Sequence, residues 1–381
     1  MKFVIYVIIF FYVMLTNGYA ISEVSEIVAA KDSLHSDTAT VMPSCPLIKE
    51  SWFTIPMGYY QQETSVALGI VGGYYFPSTN LRKISSISGS VIYTFRNQFI
   101  INANPRFYGG DGNWFFNGNV NLRYYPTYYY GIGNSNSIYN ESYISKSFQL
   151  MLQSGYFIND NWQIGPYVSL RGEKITVGES FENHKEAIFA RYGSAGWNPY
   201  WMTGLGVFST YDTRDNVFYP QKTSVFIKTS VLNYFSILGS TFDVASFNGD
   251  FRCFLPTWFG QLIACQLYVD ARLGGNIPFQ LLPTVGGSDN LRGFRERKYI
   301  DDMFVQLQTE YRIPIWNRLK ATLFYSVGDV VSTDNPSFRL KMAYGGGLRF
   351  RLNDARVHLR ADIARTNYGN VEFYITATEA F

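Results

Sequence analysis

Residues 305–312 read VQLQTEYR, so that Val305, Leu307, Thr309 and Tyr311 alternate with Gln306, Gln308, Glu310 and Arg312. A strict two-residue period is the mark of a β-strand, because successive side chains leave opposite faces of the chain. One face here is apolar and the other polar and charged. The same division recurs in LKMAYGGGLRFR (340–351), in VHLRADI (357–363) and in FGQLIACQLYVDAR (259–272).

Outward from these segments, the alternation runs from Trp52 to Phe381, broken by clusters of Gly, Asn, Asp and Pro. It divides into about sixteen strands, the first at 52–60 and the last at 371–381, each long enough to cross a bilayer tilted at about 9–11 residues. The longest connections, 127–144, 178–199 and 275–301, fall on one side if strand direction alternates. Tyr, Phe and Trp number 30, 31 and 7 and make up 18% of the 381 residues, while only 16% are charged. A β-sandwich also alternates, but its polar face meets bulk water and its apolar face does not need so many aromatic rings. Lipid outside and a watery, charged interior fit the pattern better. The fold class expected is therefore all-β, a transmembrane antiparallel β-barrel whose closure leaves no exposed edge.

The N-terminus reads as a secretory signal over residues 1–20: Lys2, an apolar run from Phe3 to Leu15, and Asn17-Gly18-Tyr19-Ala20 as a small-residue cleavage site. Residues 21–51 are polar and low in aromatics, a flexible periplasmic lead, and 52–381 form the barrel. The 32 basic and 29 acidic residues nearly cancel, so no nucleic-acid partner is implied. Three Cys (Cys45, Cys253, Cys265) and three His (His35, His184, His358) lack metal-ligand spacing, so neither a metal nor another cofactor is expected. Cys253 and Cys265 are placed on neighbouring strands, out of direct register about a turn at 255–258, as unpaired small apolar residues. The sequon at Asn140 reads as chance. Nucleophile-elbow, His-Glu-x-x-His and phosphate-loop patterns are absent, so no catalytic residues are assigned and the chain is not read as an enzyme.

The connection VGGSDNLRGFRERKYIDD (Val285 to Asp302) is too long and too cationic to float free. Arg292, Arg295, Arg297, Lys298 and the flanking Arg272 call for charge partners, which a lumen with carboxylates supplies. This stretch resembles the signature loop of the BamA/TamA superfamily of bacterial surface antigens, with Arg292-Gly293-Phe294 as its core and Gly286-Gly287 at its start. GYYQQETSVALG (58–69), GLGVFSTYDTRDNVFYP (204–220, with Asp212, Arg214, Asp215 and Pro220 as a turn motif), YGGGLRF (344–350, with Gly345 and Gly347) and the ending FYITATEAF match the family in order, over Pro56 to Phe381.

The resemblance implies that the loop folds into the lumen and that Arg292 docks on Glu310 as an acidic partner and Phe324 as an aromatic one, with Gly293 allowing close approach. It also makes Phe381 a C-terminal assembly signal, at the end of the last strand and on the face of Phe373 and Ile375. Three departures qualify this picture. Where the family usually has a second acid the chain has Ser326, so Arg292 would have to borrow Asp329 or Asp362. Thr223 stands where a turn glycine is usual. The lead of about thirty residues cannot hold a periplasmic polypeptide-transport-associated domain, so the expectation is a member acting through its barrel.

The function implied is insertion or translocation of proteins at the bacterial outer membrane, through a weak seam between the first and last strands. Its partners would be outer-membrane lipid, client barrel or surface proteins and a separate periplasmic chain. The alternative is a passive pore or lipid-handling barrel plugged by the 275–301 loop; a weaker one is an adhesive surface protein acting through 127–144 and 178–199.

Overall fold

A computed structural model describes residues 50–77, 84–134, 141–177, 195–215, 220–351, 358–377 and 380–381. The expected leader and nearly all of the lead, His35, Cys45, Asn140, His184 and most of the 178–199 connection lie outside the described residues. Sixteen strands form one closed antiparallel barrel in which each pairs with its sequence neighbours and β1 pairs with β16. They are β1 (Ser51–Gln61), β2 (Ser65–Pro77), β3 (Ile84–Thr94), β4 (Phe99–Gly109), β5 (Trp114–Tyr129), β6 (Glu141–Asn159), β7 (Trp162–Val177), β8 (Tyr200–Asp212), β9 (Ser224–Tyr234), β10 (Val244–Pro256), β11 (Leu262–Leu273), β12 (Met303–Trp316), β13 (Leu319–Val331), β14 (Lys341–Arg351), β15 (His358–Thr366) and β16 (Val371–Ala377).

Alternation becomes a wall with two solvents. On β12, Gln306, Gln308, Glu310 and Arg312 are buried within the barrel while Leu307, between them, is half exposed on its outside. Leu68, Leu122, Leu205, Leu323, Leu348 and Ile363 are likewise exposed at 42–58%. Large apolar side chains in a continuous outward band would be a liability in water and are stable against acyl chains. Trp114, Trp162, Trp258 and Trp316 are exposed at one rim, where the β4–β5, β6–β7, β10–β11 and β12–β13 turns lie, as amphipathic rings are at a membrane interface. The opposite rim carries the long connections.

Two elements differ from the reading of the sequence. The β10–β11 turn spans 257–261 and is centred on Phe259, so Cys253 and Cys265 stand directly opposite each other, and both remain free thiols. The expected register failed because the turn is one residue longer and centred later than 255–258; Phe259 adopts a left-handed conformation (φ 57°) to close it. The last strand ends at Ala377, not at Phe381.

Ladder lengths are uneven around the barrel. β12 and β13 stay in register from Met303 opposite Val331 to Pro314 opposite Lys320, with an irregularity only between Pro314 and Trp316. Between β1 and β16 a single registered pair is described, Tyr60 opposite Ile375, with the Tyr60 and Phe373 rings 6.4 Å apart across the joint. Closure there rests on far fewer backbone hydrogen bonds than anywhere else among the described residues.

Candidate functional site

The segment between β11 and β12 packs through residues 285–294 on the inward face of β12 to β16, and through Phe279, Leu281 and Leu282 against Tyr129, Tyr143, Tyr200 and Met202 of β5, β6 and β8. Its turn is made by Leu291 at φ 41° and Gly293 at φ +105°, and a Cβ on Gly293 would press on Thr366 and Ala364 at 2.9 and 3.3 Å. Only glycine therefore supplies both the backbone angle and the close approach. The main chain is held by wall side chains: Leu291 N–H donates to Gln306 Oε1 at 2.6 Å and Gly293 N–H to the Tyr374 hydroxyl at 2.9 Å. Gln308 and Arg360 donate to the carbonyls of Asp289 and Ser288.

Between these tethers Arg292 enters the wall with no exposed surface. Its guanidinium lies 3.6 Å above the Phe324 ring. Nη1 donates to Asp362 Oδ2 at 2.7 Å, and Nη2 lies 2.7 Å from Glu310 Oε1. Neither Nη2 nor Oε1 has a hydrogen-bond partner, so the Glu310 contact is an off-line Coulomb contact while the Asp362 contact is a charge-assisted hydrogen bond. Glu310 spends its second oxygen on Arg312 (2.8 Å), and Asp362 also binds Arg349. Arg360 lies 3.6 Å from Asp362 and 2.8 Å from Asp289 of the loop. Arg292, Arg312, Arg349 and Arg360 thus share Glu310, Asp362 and Asp289; Glu310 and Asp362 each serve three guanidinium groups and Asp289 serves Arg360.

The glycines of β14 make room for this cluster. A Cβ at Gly345 would strike the Phe324 ring at 2.6 Å, and one at Gly347 would collide with the Asp362 carboxylate. Gly286 sits against the Phe294 and Arg295 main chain, where a Cβ would lie 2.6–2.7 Å from the backbone, and Gly287 N–H donates to the Phe294 carbonyl. Phe294 is buried with Val285, Leu291 and Tyr299.

Of the two acids open to Arg292 on the sequence, Asp362 is the one in contact; Asp329 pairs with Lys341 at 2.6 Å. Ser326 lies 3.4 Å from Gln308 and so reaches the loop at one remove. The other cations add rings and a carbonyl to the carboxylates expected: Arg272 pairs with Asp270, and Glu372 lies in the field of Arg295. Arg295 lies about equally far from the Tyr128 and Tyr130 rings (5.9 and 6.0 Å), and Arg297 donates to the Phe279 carbonyl at 2.9 Å. Glu296 is half-buried beside Glu63, and desolvation first, then that neighbouring charge, pushes its carboxyl above the usual range. Burial likewise raises the Asp301 carboxyl to about 6.

The turn motif and the C-terminus are elsewhere, at the short-turn rim. Arg214 forks onto Asp212 (2.8 and 2.9 Å) with its guanidinium over Phe226, and Asp215 accepts from the Gln221 N–H across the buried Pro220. Phe381 turns inward after β16 and is buried with Phe254, Leu262 and Ala264, its main-chain oxygen accepting from Arg312 at 3.0 Å. It therefore does not share the outward face of Phe373, because the chain leaves the strand before the alternation reaches it. Sequence reasoning missed Arg349, Arg360 and Tyr374; their inward parity beside Asp362 was the available signal.

A model of the Omp85 superfamily domain matches residues 82–381. Among solved structures, BamA from Haemophilus ducreyi lacking POTRA domains 1–3 is similar at TM-score 0.58 and 12% identity, over 86% of this chain and 70% of that one. CdiB from Acinetobacter baumannii (TM-score 0.56, 14% identity) and CdiB from Escherichia coli (0.54, 10%) align over 86% and 89% of this chain but only 59% and 64% of their own. These likenesses establish the barrel fold. No curated protein sequence matches the chain.

Proposed function

The chain belongs to the Omp85 superfamily, a barrel of the bacterial outer membrane, and from that membership we propose that it aids the insertion or translocation of proteins there. The observation that carries this reading is the β1–β16 joint with its single registered pair. A joint held by few backbone bonds opens at low cost, and the freed N–H and C=O groups then template an incoming strand, which completes its hydrogen bonds before it meets lipid.

The loop spans this joint. On the β1 side Gln61 Nε2 donates to Ser288 Oγ at 3.1 Å, and on the β16 side Gly293 is tied to Tyr374. In this reading Arg292 anchors the loop to β12, β13 and β15, so that these strands stay rigid and opening is confined to the seam. Client barrel or surface proteins are the proposed substrates, with a separate periplasmic chain as a proposed partner.

The test is the folding of a urea-denatured outer-membrane barrel into liposomes with and without this protein in the bilayer, followed by the heat-modifiable band on gels. The proposal requires faster folding in its presence. Equal rates with correctly folded protein would count against it.

A further inference from the structure

At the rim that carries the long connections the strands end at different heights. Phe99, the first residue of β4, pairs with Tyr124, while β5 runs on to Tyr129 and stays paired with β6, and β6 with β7, beyond that level. From Tyr125 to Tyr129 the edge of β5 therefore has no strand beside it on the β4 side. Gln98 caps part of this edge, its Nε2 donating to the Pro126 carbonyl at 3.1 Å and to the Glu63 carbonyl at 3.2 Å. Together with loop residues Arg295 and Glu296, the ends of β5, β6 and β7 line a cavity of about 320 Å³ there. Ligand pockets run from about 300 to 1,000 Å³.

The lining holds polar atoms that the protein itself leaves unpaired. Tyr130 is only 9% exposed, and its hydroxyl has no hydrogen-bond partner although Arg295 lies beside it. Glu63 accepts from the Glu296 N–H on Oε1 at 2.7 Å, while its buried Oε2 accepts nothing. A buried polar atom without a partner costs stability, which a ligand bringing that partner recovers.

The remaining chemistry is mixed. Tyr128 and Tyr130 offer rings, Ser142 and Thr176 offer exposed hydroxyls, and the charges balance, Arg96 and Arg295 against Glu63 and Glu296. An acyl chain would leave the Tyr130 hydroxyl and Glu63 Oε2 unpaired, a phosphate would meet two carboxylates, and an ammonium would meet two guanidinium groups. A sugar ring finds a counterpart for every group, because its C–H faces are apolar and its neutral hydroxyls both donate and accept.

We propose that this cavity binds a short neutral saccharide at the outer surface of the membrane. Barrels of this kind keep their longer connections on the cell exterior, so the sugars within reach are those of the outer-leaflet glycolipid or of free oligosaccharide. Sugar binding here does not require the insertion activity, so either can fail without the other.

The probe is the core oligosaccharide of the outer-membrane glycolipid, released by mild acid, dephosphorylated, and titrated calorimetrically into the purified protein in phospholipid nanodiscs. Saturable binding is expected. It should weaken about two- to tenfold in Tyr130→Phe, which removes one neutral hydrogen bond, and vanish in Ser142→Trp, which fills the cavity from an exposed position. Intact glycolipid added to the nanodiscs should compete if the membrane is the source, and oligosaccharide binding without that competition assigns the site to free saccharide. Absence of saturable binding to folded protein, or binding indifferent to both substitutions, overturns the proposal. So does binding of the phosphorylated oligosaccharide but not of its dephosphorylated form, which would mark an anion site instead.

Discussion

Replacing Asp362 with asparagine tests the loop anchor where its geometry is best. The residue has no exposed surface, accepts from Arg292 at 2.7 Å and from Arg349, and lies 3.6 Å from Arg360. Asparagine keeps the size and removes the charge, leaving four guanidinium groups around Glu310 and the half-exposed Asp289. At an effective dielectric constant near 20, two charges about 4 Å apart interact by about 4 kcal/mol, and breaking one partner from a buried pair costs about 3–5 kcal/mol. Asp362→Asn is therefore expected to lower barrel stability by at least about 3 kcal/mol, more than a hundredfold in the folded-to-unfolded ratio. Arg292→Ala is expected to cost less, because it relieves crowding among the remaining arginines, and the double variant should cost less than the sum. Guanidinium titration in vesicles, read by tryptophan fluorescence, measures all three. A loss below about 1 kcal/mol for Asp362→Asn, as for a solvated pair, would refute a buried anchor.

Three further outcomes follow from the same geometry. Gly293→Ala, which forces a Cβ onto Thr366 at a positive φ, should destabilise the docked loop by about 1–3 kcal/mol, while Gly275→Ala, with open space around it, should not; protease resistance of the loop in vesicles compares them. Phe381→Ala should cost about 3–5 kcal/mol as a cavity among Phe254 and Leu262, measured by the same denaturant titration, whereas an effect on assembly alone with unchanged stability would favour a pure targeting role. Because the docked Asp301 carboxyl titrates near 6, above its free value of 3.8, docking should be strongest below about pH 4 and weaken as pH rises through about 6; Asp301→Asn should flatten that dependence in hydrogen exchange of the loop.

The wall was legible in the sequence because period-two alternation is local: eight residues at 305–312 suffice to assign an inside and an outside. Arg292, Glu310 and Phe324 were brought together by resemblance to a family motif and stand in contact in the structure. Asp362 was one of two candidates because it lies 70 residues from Arg292, and parity alone could not say which inward acid the loop would reach. The opposition of Cys253 and Cys265 was lost to a turn whose tip is a non-glycine residue at positive φ, for which sequence gives little warning. Phe381 was misplaced for a related reason: alternation predicts a face only while the chain remains a strand. The aromatic cluster of Tyr129, Tyr143, Trp197 and Phe279 was not foreseen, since it joins the paired ends of β5 and β6 to residues of two separate connections that no local pattern relates.

The seam itself gives the most direct test. Tyr60 and Ile375 are the registered pair across it, so Tyr60→Cys/Ile375→Cys in a chain with Cys45, Cys253 and Cys265 replaced by serine places a removable disulfide across the joint. In the liposome assay the oxidised protein should fold client barrels no faster than empty vesicles do, and reduction should restore the acceleration. Unimpaired acceleration by fully crosslinked protein would contradict a mechanism in which the barrel opens between β1 and β16.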